Sequence, residues 1–178
     1  EFLDEVRHMP QRNLALELLK KLLNDEIKAR SKRNLVQARS FAEMLEETIR
    51  RYQSRTIEAA QVITELVELA KEMREAHRRG EKLNLSEEEV AFYDALETND
   101  SAVKALGDEN LKVIARELVE TVKRNVTIDW TVKESVKAKL RVIVKRILRK
   151  HGYPPDKQEK ATRIVMEQAE LLCADWAA

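Results

Sequence analysis

The stretch Thr127–Lys157, "TIDWTVKESVKAKLRVIVKRILRKHGYPPDK", carries the pattern from which the fold is read. From Val132 to Lys150 the apolar residues Val132, Val136, Leu140, Ile143, Val144, Ile147 and Leu148 fall on one arc at about 100° per residue, the period of an amphipathic helix. Opposite them lie Lys139, Arg141, Lys145, Arg146 and Arg149, and with Lys133, Lys137 and Lys150 the segment holds eight basic residues against the single acid Glu134. Thr131 and Glu134 have capping-box spacing at its start, and Gly152 with Pro154 and Pro155 ends it. Before it, "NVTIDW" alternates Val126, Ile128 and Trp130, as a brief extended connector would.

Working outward, the same period recurs. Residues 11–30 place Leu14, Leu18, Leu19, Leu22, Leu23 and Ile27 on one face. From 41 to 79 a stripe of Phe41, Leu45, Thr48, Tyr52, Ala59, Ile63, Leu66, Ala70 and Met73 predicts one long helix of roughly 35–40 residues, about 58 Å at 1.5 Å per residue. A short acidic helix at 87–97, a shorter one at 101–106, and helices at 109–124 and 156–175 complete the set, with Leu111, Ile114, Leu118, Val119 and Val122 inward. Gly80, Gly107 and Gly152 each follow a helix-period segment, where a left-handed residue just past a helix end belongs. Ser40 with Glu43 and Ser86 with Glu89 repeat the capping-box spacing. The expectation is an all-α chain, one single helical domain over 1–178.

Composition sets the class. The 178 residues are 37% charged and 43% hydrophobic, which fits amphipathic helices rather than disorder. With 33 Lys and Arg against 32 Asp and Glu the net charge is +1, so only local basic patches could favour nucleic acid. Cys173 is the sole cysteine, which rules out an intrachain disulfide and points to a reducing, cytoplasmic setting. No apolar run approaches membrane-spanning length. The opening "EFLDEV" reads as part of a longer protein.

Catalytic patterns are missing from the sequence. The three glycines are too dispersed for a phosphate-cradling loop or a nucleophile elbow. His8, His77, His151 and Cys173 lack zinc-ligand spacing. Pro155-Asp156 and Glu26-Ile27-Lys28 contain the pieces of a Pro-Asp, acidic-x-Lys nuclease motif, but in reversed order and on helix-period segments, so they read as coincidence.

Two basic features are candidates for docking or phosphate contact. One is the α-helical row Lys139, Arg141, Lys145, Arg146 and Arg149. The other is "KARSKRNLVQAR", where Arg30, Lys32 and Arg33 mark a helix end or turn without a neighbouring acid. The helical row is read three ways, as a solvated face with acids nearby in the fold, as a phosphate contact, or as the docking surface for an acidic protein; the second stretch is read as a solvated inter-helix turn or as a phosphate-contacting loop. The acidic 87–97 segment reads as a packed helix with acids at its N-terminus, or as a docking element. Trp130 and Tyr153 read as core anchors, since 4% aromatic residues is poor for base stacking.

The segments "NLALELLKKLLNDEIKAR", "SFAEMLEETIRRY", "LSEEEVAFYDAL", "NVTIDWTVKESVKAKLRVIVKRILRKHGYPPDKQEKA" and "EQAELL", in that order, resemble the C-terminal helical domain of the R subunit (HsdR, the motor and restriction subunit) of type I restriction-modification enzymes. "AFYDAL", "IDWT" and "GYPPDKQ" are the most specific pieces, and the resemblance covers nearly the whole chain. It implies a parent that is an ATP-dependent DNA translocase and endonuclease using ATP and Mg, and an assembly role for this region on a methyltransferase core of M and S subunits. The family's nuclease and ATP motifs have no matching positions here, so this segment itself is expected to bind no cofactor, metal or small molecule and to have no catalytic residues. DNA remains a possible partner; a membrane is not expected.

Overall fold

The computed structural model describes residues 1–98, 100–125 and 134–177. Every regular element among them is helical: α1 (Phe2–Arg7), α2 (Arg12–Ser31), α3 (Leu35–Gln53), α4 (Ala59–Ala76), α5 (Arg79–Leu83), α6 (Glu87–Glu97), α7 (Asp100–Asn125), α8 (Glu134–Lys150), a 3-10 turn (Pro155–Lys157) and α9 (Gln158–Ala177). The expected all-α class is met. The extended connector at 126–130, the Trp130 anchor and the Thr131 cap lie outside the described residues.

The long helix expected at 41–79 is two helices. α3 starts at Leu35 and stops at Gln53, and α4 begins only at Ala59. The intervening segment, residues 54–58, opens with the polar "SRT", and Arg55 takes a left-handed φ of 60. The amide of Thr56 returns to Arg51 O at 2.8 Å, satisfying a carbonyl at the end of α3. No glycine marks this corner, so the sequence offers no breaker. Ser40 accordingly lies inside α3 and is not its N-cap.

Two compact units emerge. The first, Glu1–Ser31 with Gln37–Arg79, packs α1, α2 and α4 together with most of α3. Its core is Leu19, Leu23, Phe41, Leu45, Ile63, Leu66 and Met73. Leu19 and Leu66 are wholly buried, and full burial of such a side chain contributes about 1.5–3 kcal/mol. The inward face of α2 differs from the expected one: Ala15, Leu16, Leu19 and Leu23 are buried, whereas Leu14 and Leu18 are 49% and 36% exposed. An apolar arc this broad cannot be covered whole by the neighbours α1 and α4. Arg51 joins α3 to α4 through a two-pronged ion pair with Glu65.

The second unit, Lys32–Val36 with Gly80–Ala178, is built from α6 packed on α7 and α9, with α8 against α7 and α9. Its core includes Phe92, Leu96, Leu111, Ile114, Leu118, Val122, Leu140, Val144, Leu148 and Val165. The five inward residues expected in 109–124 are all buried. α6 opens with the expected capping box: Ser86 N donates to Glu89 Oε1 at 2.8 Å and Glu89 N to Ser86 Oγ at 3.2 Å. Gly107, at φ 76, breaks the helical geometry inside α7 at the expected end of a short helix. Gly80 behaves otherwise than expected. It sits within α5, and a Cβ there would lie 2.9 Å from Leu85 O, so close backbone approach is what requires glycine.

Segment 32–36, the corner between α2 and α3, belongs to this second unit. The fully buried Gln168 holds it from both sides, donating to Arg33 O at 2.7 Å and accepting from Leu35 N at 2.8 Å. That second bond satisfies one of the open amides at the start of α3, the service a serine or aspartate would otherwise give.

Candidate interaction face on the basic helix

Helix α8 is positioned by its apolar arc. Leu140, Val144, Ile147 and Leu148 are buried, and Val136 and Ile143 pack partly against the same core. Its C-terminus is fixed by Gly152 in the left-handed region at φ 76, after which Tyr153 N returns to Leu148 O at 2.9 Å. Tyr153 is 1% exposed and its hydroxyl donates to Leu96 O at 2.9 Å, making it the core anchor expected. The outward direction of the basic row is therefore fixed at both the arc and the end.

The basic residues divide into two sets. Those bordering the packed face are paired to neighbouring helices: Lys137 to Glu170 of α9 at 3.2 Å, Lys145 to Glu159 of α9 at 2.8 Å, and Lys150 to Glu117 of α7 at 3.2 Å. Lys139, Arg146 and Arg149 are not paired with any acid among the described residues, and Lys139 and Arg149 are exposed. Arg141 is exposed too, and its charge adds to the pull on Glu159. The hydrogen bond from Lys145 holds the Glu159 carboxyl below the usual range. Val142 stands among these cations, 56% exposed.

At the end of α8, Glu117 also receives His151 Nε2 at 2.5 Å. That bond, with Lys150 assisting, holds the Glu117 carboxyl below its ordinary value against the opposing effect of burial. The Cys173 thiol is pushed up to about 12 by burial, with Glu170 adding to it, which leaves it unreactive. Among the described residues no group of three or more His, Cys, Asp or Glu could hold a metal ion. No helix of the described residues is long and apolar enough to cross a membrane.

Burial divides the second basic stretch: Arg30 is enclosed, whereas Lys32 and Arg33 are exposed. Arg30 is 6% exposed; its guanidinium donates to Met73 O at 2.7 Å and Gln37 Oε1 at 3.1 Å and lies 5.2 Å from the Phe41 ring centroid. It is a packing residue of the first unit, enclosed because its stem follows the apolar face of α2. Lys32 is exposed, and Arg33 reaches Glu87 at 3.4 Å. Reading the helix by charge alone misses Val142. The signal is in the spacing, for at 100° per residue Val142 falls on the outward arc.

Residues 1–175 match the family described as "Type I restriction enzyme HindI endonuclease subunit-like, C-terminal". Over 175 residues, 98% of this chain, it is 40% identical to the type I restriction enzyme HindI endonuclease subunit of Haemophilus influenzae, covering 17% of that protein. Over 153 residues it is 35% identical to the putative type I restriction enzyme MjaIXP endonuclease subunit of Methanocaldococcus jannaschii, covering 15% of its length. No solved structure matches the chain.

Proposed function

The chain belongs to the HindI-like family of type I restriction endonuclease subunits, as a C-terminal region, and from that premise we propose that it is a non-catalytic helical module that docks its parent onto a methyltransferase core. The parent would be an ATP-dependent DNA translocase and endonuclease of the cytoplasm, with ATP and magnesium bound in its other domains. Its partners would be the M and S subunits. Both relatives are named as endonuclease subunits, which supports the restriction role of the parent.

One observation carries the docking reading: the outward face of α8 keeps Lys139, Arg146 and Arg149 without acid partners among the described residues, while the flanking lysines are paired within the fold. A face that served only solubility would need no such division, nor a helix anchored by a buried Tyr153.

The test uses the full-length protein with Lys139, Arg146 and Arg149 reversed to Glu. Surface charges contribute little to folding, so the melting temperature should move little. Association with the methyltransferase core should slow and lose salt sensitivity, because interface charges act mainly on encounter. An unchanged association rate and salt slope would make the row a solvated face. Intact assembly with lost ATP turnover would instead make the module a brace for the motor.

A further inference from the structure

Resting on the docking reading, we infer that the partner of α8 is an acidic protein surface that closes an apolar socket over Val142, and that nucleic-acid phosphate is not its ligand. Val142 is the most exposed of the large hydrophobic residues described, at 56%, ahead of Leu14 at 49% and Phe2 at 48%. It sits mid-helix, where a β-branched residue lowers helix propensity and, left in water, contributes nothing to the core. At 100° per residue Val142 and Arg149 share the centre of the outward arc, with Arg146 and Lys139 on one flank and Arg141 on the other. Ala138, one turn before Val142, is small, so an opposing side chain can approach the valine closely.

An apolar side chain ringed by arginines suits a protein interface, whose core is apolar and in which arginine is enriched: the valine is desolvated, and the guanidiniums meet carboxylates around it. Phosphate backbones are contacted by cations, hydroxyls, carboxamides and main-chain amides, and a central valine gains nothing against them. Charge complementarity then fixes the sign of the occupant. Lys139, Arg146 and Arg149 have no acid of their own among the described residues, so the partner supplies the carboxylates.

Three variants of the full-length protein decide this: V142A, V142E and the double reversal R146E/R149E. Binding is measured to the methyltransferase core and, separately, to a short free duplex DNA over a range of salt. Because Val142 is exposed and alanine is the better helix former, V142A should leave helicity and melting intact, so lost binding is not lost folding. Removing two buried methyl groups should weaken core binding roughly tenfold, and V142E should weaken it on the order of a hundredfold, with binding to free duplex unchanged. If R146E/R149E weakens core binding but both Val142 variants bind as wild type, the socket is overturned while the docking face stands. If the double reversal instead lowers duplex affinity and its salt slope, with the Val142 variants indifferent, the face reads phosphate and the inference falls. If no variant alters core binding, the docking reading falls with it.

Discussion

Asn34 Nδ2 donates to Asp94 Oδ2 at 2.8 Å, and both side chains are buried, at 6% and 5% exposure. With Gln168 bonded to Arg33 O and Leu35 N, this pair fastens the 32–36 corner into the second unit by polar contacts. Buried polar groups that lose a partner retain their desolvation cost, so Asn34→Ala should lower unfolding free energy by about 1–3 kcal/mol in urea titration. A change under about 0.5 kcal/mol would show that the corner is not fastened here.

The rotated face of α2 makes a paired prediction. Leu19 is fully buried, so Leu19→Ala should cost about 2–5 kcal/mol. Leu18, at 36% exposure, should tolerate alanine within about 0.5 kcal/mol. Comparable losses at both positions would restore the face read from periodicity.

Acid should weaken the junction between α7 and α8. Glu117 has a folded-state pKa below the ordinary carboxylate value of 4.5, so its stabilising contribution is present above that value and is lost as pH falls through the lower, folded one. Melting temperatures of wild type and Glu117→Gln should differ at neutral pH and converge as pH drops below about 4.5. A gap that stays constant into acid would mean that the His151 and Lys150 contacts do not stabilise the carboxylate.

Backbone handedness gives two changes of opposite sign. Arg55 sits at φ 60, where a side chain is strained, so Arg55→Gly should stabilise or be neutral, within about 1 kcal/mol. Gly152→Ala forces a Cβ into φ 76 at the end of α8 and should destabilise by about 1–2 kcal/mol. Thermal melts of the two variants read the signs directly, and a stabilising Gly152→Ala would refute the left-handed cap.

What the sequence determined is local. Periodicity placed α2, α6 and α8, with the inward residues of α7 and α8, because burial on one side writes itself into the 3.6-residue spacing. The capping box at Ser86 and the glycines at 107 and 152 were legible because their geometry depends on neighbours in sequence. The resemblance of the ordered motifs to the restriction-enzyme family was legible too, and the family match bears it out. The outward basic row of α8 followed from the same spacing.

Only tertiary structure decided the rest. The corner at Arg55 carries no glycine or proline, and its backbone bonds hold a non-glycine residue in an uncommon conformation. Arg30 reads as a surface charge in the sequence because a guanidinium is usually exposed; its burial depends on Met73, which lies 43 positions away. Likewise, which lysines of α8 are neutralised depends on Glu117, Glu159 and Glu170, brought alongside by α7 and α9. Helical period records which side of a helix is covered, but it does not record which distant group covers it, and the division between paired and unpaired cations is a property of that pairing.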